Sequence, residues 1–98
     1  MKLFKDKSFS LEMGFSRKEF IALLDSQNKL VFQRDGNVIT FIFSEQQAIV
    51  TLGEEDVRRI GSAILPKLDV DFNCSKMSSD KQEQFMKIFM LKFHRGGG

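Results

Sequence analysis

The sequence predicts a single α+β domain over residues 1–98, with helices packed on an antiparallel sheet in the order β-α-β-β-β-α-β-α. Three observations lead to this prediction. Two short turns separate three apolar segments between residues 28 and 52, which is the pattern of a three-stranded antiparallel meander. Alternating apolar and polar residues predict one flanking strand before the meander and another after it. Apolar residues at helical spacing predict the helices.

The first predicted elements are a strand and a helix. The strand covers residues 8–13, where every second residue is apolar. The helix begins at a capping box, in which Ser16 is the N-cap and Glu19 reaches back to its backbone. Phe15 and Phe20 have the spacing of a hydrophobic staple around this cap. A short helix is therefore expected between the first strand and the meander.

The meander has one predicted buried face, which two turns support independently. A turn at Asp35-Gly36 would pair Phe32 with Ile39, because glycine tolerates positive φ and aspartate tolerates it better than most residues. A second turn at Glu45-Gln46 places the third strand with its apolar residues on the same face. The residues predicted to share this face are Leu30, Phe32, Ile39, Phe41, Phe43, Val50 and Leu52.

Three further elements are predicted after the meander. A second helix is expected over residues 54–65, because three carboxylates at its start complement the helix dipole and Pro66 ends it. A strand at residues 68–73 and a last helix from Ser78 or Ser79 to about Phe93 follow. Residues 95–98 are expected to form a flexible glycine tail.

Composition limits the functions that the sequence supports. The net charge of +2 is too balanced to indicate a nucleic-acid partner by itself. A lone Cys74 cannot form an internal disulfide, so we expect a cytoplasmic protein, and no segment is apolar enough to span a membrane. His94, the single histidine, is expected to complement a helix end. No metal site, cofactor or catalytic constellation is indicated, so we expect a protein that is not an enzyme.

The predicted run from Ser16 to Leu65 resembles, in its α-β-β-β-α order, double-stranded-RNA-binding domains and the Alu-binding proteins of the signal recognition particle. The resemblance implies an RNA-binding module as one alternative function. Carboxylates at the start of the second predicted helix would repel phosphates, so a nucleic-acid partner is not the favoured expectation. The cations that would serve such a module are Arg58, Arg59, Lys67, Lys29 and Arg34.

The C-terminal glycines suggest a second alternative. Residues 95–98 end in Gly97 and Gly98, and this tail resembles that of ubiquitin-like modifiers and sulfur carriers. The resemblance implies a carrier or modifier whose terminal carboxylate is the functional group. The same glycines are also typical of a helix C-cap followed by flexible residues, so both interpretations remain open.

An excess of apolar residues supports the favoured function. The last predicted helix contains more apolar residues than one core-facing stripe needs, and the second face of the meander contains β-branched residues where a solvated face would be polar. Exposed apolar surfaces of this kind are typical of interaction sites. We therefore expect a non-catalytic protein-interaction or assembly module that binds itself or another protein. The candidate interface residues are Met86, Met90, Leu91, Val31, Ile42 and Ile49.

Overall fold

A computed structural model describes residues 6–93, which form one five-stranded sheet and two helices. The strands are β1 (Ser8–Met13), β2 (Val31–Asp35), β3 (Val38–Phe43), β4 (Gln46–Ile60) and β5 (Ala63–Asn73), and the helices are α1 (Arg17–Ser26) and α2 (Ser79–Lys92). All strand pairs are antiparallel, and the order across the sheet is β1-β5-β4-β3-β2. The predicted α+β class and antiparallel sheet are confirmed.

Both helices begin at the caps that the sequence predicts. The backbone N–H of Glu19 donates to Ser16 Oγ at 3.1 Å, and the N–H of Ser16 donates to Glu19 Oε1 at 2.9 Å. The rings of Phe15 and Phe20 meet edge to face with centroids 6.3 Å apart, as the hydrophobic staple requires. Ser78 caps α2. These local interactions set where each helix begins.

The two helices pack on the same face of the sheet. Phe89 of α2 contacts Phe20 of α1, with ring centroids 6.1 Å apart, and also contacts Phe41 and Phe72 of the sheet at 6.0 and 5.0 Å. Between residues 6 and 93 no helix packs on the other side, which we call the open face and which exposes strand residues such as Val31. Among the described residues, neither helix is long and apolar enough to cross a membrane.

The meander buries the predicted face, although its register differs by two residues. The turns are Gly36-Asn37 and Ser44-Glu45, and Phe32 pairs with Phe41 rather than with Ile39. A shift of two residues keeps every side chain on its original face, because strand residues alternate with a period of two. The seven residues predicted to share the buried face are therefore all buried or half-buried.

Positive φ angles explain where the second turn forms. Ser44 and Glu45 have φ angles of 53° and 68°, which is the sign pattern of a type I′ hairpin turn. Neither residue is glycine, so their side chains did not indicate this turn in the sequence. At the first turn, Gly36 has a φ of 61° and takes the position that needs it.

The second predicted helix is not formed. Residues 54–60 continue β4 and residues 63–65 begin β5, with a two-residue turn at Gly61-Ser62 between them. The β-branched residues Val57, Ile60 and Ile64 favour strands, and Gly61 adopts a φ of 61° in the turn. The observed order is β-α-β-β-β-β-α, and residues 68–73 are the second half of a longer strand.

A bulge in β4 marks the point where this long hairpin leaves the sheet. Leu52 pairs with Val70, but the next paired residue, Glu55, is opposite Leu68, so Gly53 and Glu54 together face a single residue. A Cβ atom on Gly53 would lie 3.2 Å from the backbone oxygen of Asp69, which is closer than nearly all such contacts. Glycine at this position allows the two strands to approach where the bulge forms.

Candidate functional site

The most distinctive surface of the protein is the part of the β4–β5 hairpin beyond the bulge, residues 55–67, which we call the arm. Within the sheet, β3 pairs with β4 as far as Thr51, and β1 pairs with β5 as far as Leu68. Across residues 6–93, the arm therefore has no neighbouring strand on either of its edges. It is a two-stranded ribbon that projects from a five-stranded sheet.

The arm exposes large apolar side chains on both of its sides. Val57, Ile60 and Ile64 are each more than half exposed, and Leu65 is 42% exposed. Alternation along the two strands places Val57 and Ile64 on the side that continues the core face, and Ile60 and Leu65 on the side that continues the open face. Exposed apolar residues that are grouped in this way indicate a binding surface more strongly than isolated ones.

Polar contacts of Glu55, Arg58 and Lys67 connect the arm to the body of the protein. The Arg58 guanidinium donates to the Glu12 carboxylate of β1, and Lys67 Nζ is 3.5 Å from the same carboxylate. On the other side, the backbone N–H of Arg17 donates to the Glu55 carboxylate. These contacts are exposed, so each stabilises the arm weakly.

The charged residues of β4 in the arm are separated into an acidic pair and a basic pair. Glu55 and Asp56 lie at the base of the arm, Arg58 and Arg59 lie nearer its tip, and Val57 separates the two pairs. All five residues are exposed. Arg59 forms no ion pair with any residue between 6 and 93. The arm therefore presents acidic and basic groups in two adjacent blocks on one strand.

The predicted interface residues do not form one surface. Met86 is 1% exposed and belongs to the core, so the prediction that it forms part of an exposed interface is wrong. Met90 and Leu91 are exposed on α2, with Leu91 at 74%. Val31 and Ile42 are exposed and pair across β2 and β3, whereas Ile49 on the same open face is half-buried. The helix and open-face groups are on opposite sides of the sheet.

The structure also separates the five cations that are predicted to serve an RNA-binding module. Arg58, Arg59 and Lys67 are on the arm, whereas Lys29 and Arg34 are beside or in the edge strand β2, with Arg34 donating to the carbonyl of Gly36 at 2.9 Å. Because residues 54–65 form strands, the α-β-β-β-α order is absent. The resemblance to double-stranded-RNA-binding domains therefore does not extend to the structure.

The remaining candidate groups do not form a reactive site in the part of the chain that the structure describes. Cys74 is buried, and burial raises the pKa of its thiol above its ordinary value, which disfavours the thiolate. No group of His, Cys, Asp and Glu side chains among residues 6–93 is arranged to hold a metal ion. His94, Gly97 and Gly98 are outside the described residues, so the tail predictions stay predictions.

Sequence reasoning missed the arm, although one local signal pointed to it. Gly61-Ser62 has turn chemistry and lies between segments that contain the β-branched residues Val57, Ile60 and Ile64, which is a hairpin pattern. Comparisons with protein-family models, with curated proteins and with solved structures find no match to this chain.

Proposed function

We propose that this protein is a non-catalytic assembly module and that its arm binds a second copy of the chain. The observation that supports the proposal is the exposure of Val57, Ile60, Ile64 and Leu65 on a ribbon that no other described element covers. Such residues would normally be placed against a core or a partner, because burial of apolar area stabilises by roughly 25 cal/mol per Å².

The ribbon itself also gains from a partner. A two-stranded hairpin is marginally stable in water by itself, and at least three strands with an apolar side are needed for independent stability. The arm has two strands and is connected to the body by exposed polar contacts of Glu55 and Arg58. A partner that adds strands or covers an apolar side would complete the structure that the arm begins.

A second copy of the chain is the partner whose chemistry fits best. Glu55 and Asp56 at the base and Arg58 and Arg59 near the tip give every arm both signs of charge. Two arms that run in opposite directions would place the acidic block of each beside the basic block of the other. Complementary charges of this kind favour association and set its orientation.

The test is the molar mass of the full chain over a range of concentrations, measured by sedimentation equilibrium. We expect a dimer that dissociates on dilution. Val57→Lys should yield a monomer, since it places like charges on both arms. Leu91→Lys makes a comparable change at a site that is 74% exposed and outside the arm, and should leave the dimer intact.

Two results would overturn the proposal. One is a wild-type protein that stays monomeric at high concentration. The other is a dimer that dissociates with Leu91→Lys and persists with Val57→Lys, because the contact would then be on α2. Circular dichroism of both variants shows whether each retains the wild-type fold.

A further inference from the structure

We infer that the β4 edge of the arm pairs antiparallel with the same edge of a second copy, in a register centred on Val57. This inference rests on the proposed function, because it specifies the surface and the register through which the arm binds its partner. It follows from the direction of the backbone groups on β4, from a proline on β5 and from the order of charges along β4.

The position of Pro66 shows which backbone groups of β4 are free. Val57 is paired with Pro66, which has no N–H, so this pair is a non-hydrogen-bonded pair of the antiparallel ladder. The N–H and C=O of Val57 therefore point away from β5, and its N–H donates to Asp56 Oδ1 at 2.7 Å instead. Because these directions alternate along a strand, Glu55 and Arg59 also point their backbone groups to the free edge.

The other edge of the arm is less suited to pairing. In the same non-hydrogen-bonded pair, the nitrogen of Pro66 points to the outer edge of β5, where it offers no donor. Proline on an edge strand is a common protection against strand addition. The outer edge of β4 has no proline between residues 53 and 60, so it is the edge that can accept a partner strand.

The order of charges selects one register. When two copies of β4 run antiparallel about Val57, Glu55 of each copy is opposite Arg59 of the other, and Asp56 is opposite Arg58. The symmetry doubles these contacts, so that every charged residue in the paired segment faces an opposite charge. Opposite charges directly across an antiparallel pair stabilise it, whereas like charges destabilise it.

Alternative registers with the same hydrogen-bonding groups are unfavourable. Centring the pair on Glu55 would place that residue against its own copy, and centring it on Arg59 would do the same for arginine. Both arrangements oppose like charges at the two-fold axis. Glu55, Val57 and Arg59 direct their backbone groups to the free edge, and of these three residues only Val57 has an apolar side chain. Val57 is therefore suited to the two-fold axis, where each residue faces its own copy.

Contacts within one chain occupy part of this edge and limit the length of the pairing. The Arg17 guanidinium donates to the carbonyl of Gly53 at 2.7 Å, and the N–H of Leu52 donates to the carbonyl of Asn37 at 2.8 Å. The pairing is therefore confined to residues 55–59. Within this range the N–H of Val57 donates to the Asp56 carboxylate in the single chain. In the dimer it would donate instead to a backbone carbonyl of the second copy.

Cysteine cross-linking tests the register. Paired Val57 residues would have Cα atoms about 5.5 Å apart, within the range that a disulfide spans. In this register Ile60 lies opposite residue 54 of the second copy, which is six positions away from Ile60 of that copy. The two Ile60 residues would therefore be about 20 Å apart. On mild oxidation, Val57→Cys should form a covalent dimer and Ile60→Cys should not. Efficient cross-linking through Ile60→Cys, or none through Val57→Cys, would overturn the register.

A backbone substitution tests the hydrogen bonds. Val57→Pro removes an N–H that points to the free edge, so the chain's own ladder is retained while the central donor of the dimer is lost. Val57→Thr is the matched control, since it keeps the N–H and the β-branched shape. We expect the dimer dissociation constant to rise at least ~10-fold for Val57→Pro and less than ~3-fold for Val57→Thr. Equal effects would overturn edge pairing.

Charge reversal gives a test that does not depend on proline. R58E/R59E and E55R/D56R should each be monomeric, and an equimolar mixture should form a heterodimer, because each variant then supplies the charges that the other needs. If the wild type associates and the mixture does not, edge pairing is overturned while the proposed function stands. If the wild type is monomeric, both are overturned.

Discussion

At the scale of single residues, phenylalanine is the commonest residue of the core and supplies seven of the nineteen apolar side chains that are buried among residues 6–93. Phe41, in the middle of β3, is fully buried, and its ring lies 5.3, 6.0 and 6.5 Å from the rings of Phe85, Phe89 and Phe93. Phenylalanine has no polar group that needs a partner, so a cluster of these rings can be buried without a hydrogen-bonding cost. Removing one ring would leave a cavity between the sheet and α2.

Phe41→Ala should lower the free energy of unfolding by about 3–5 kcal/mol, because the substitution removes buried apolar area and leaves a cavity. Urea denaturation followed by circular dichroism measures the change. Val31→Ala is the control, since Val31 is 63% exposed and should change stability by less than about 0.5 kcal/mol. Similar losses for the two variants would contradict the burial of this face.

At the scale of elements, the turns determine where each hairpin pairs. Ser44 and Glu45 both adopt left-handed backbone conformations, which are unfavourable for residues other than glycine and asparagine. The strands on both sides of the turn hold it in place, since β3 and β4 pair from Phe43 and Gln46 onward. Strand pairing therefore outweighs the local preference of the turn residues.

Glu45→Gly should raise the free energy of unfolding by about 0.5–1 kcal/mol, because relief of left-handed strain exceeds the cost of glycine flexibility in the unfolded chain. Thermal unfolding measures the gain. Gly36→Ala should instead lower the free energy of unfolding, because Gly36 has a φ of 61°. An added Cβ at this position would meet no other atom within contact distance, so the substitution adds only backbone strain. A stabilising Gly36→Ala or a destabilising Glu45→Gly would contradict the observed turns.

At the scale of the whole molecule, the protein is elongated, and charges of both signs are divided along its arm. The principal extents are 44 × 30 × 23 Å, so one axis is clearly longer than the other two. The net charge is only +2, and the cations of the arm lie beside carboxylates of the arm and of β1. This arrangement favours a partner that also contains both signs of charge.

Duplex RNA should therefore not bind at physiological salt, because Glu55, Asp56 and Glu12 oppose phosphates near Arg58 and Arg59. Fluorescence polarisation with labelled RNA, repeated at low and high salt, measures this. R58E/R59E and the matched K29E/R34E variant make the same change in net charge at two sites. Micromolar, salt-sensitive binding that only R58E/R59E abolishes would assign the arm to RNA.

The sequence by itself determined the features that depend on neighbouring residues. The cap of α1 follows from Ser16 and Glu19, three residues apart, and the buried face of the meander follows from alternation. The exact strand register could not be predicted from the sequence, because a two-residue shift keeps the same face buried. Ser44 and Glu45 have positive φ angles, but serine and glutamate are not residue types that indicate such a turn.

Only the tertiary structure decided between helix and hairpin for residues 54–65. Val57, Ile60 and Ile64 have helical spacing, yet the same residues can stand on two strands joined by a turn at Gly61-Ser62. Local spacing does not separate these outcomes, because strand pairing depends on partners that are distant in the sequence. Continuation of the β4–β5 ladder beyond the bulge selected the hairpin, and with it the arm on which the proposed function rests.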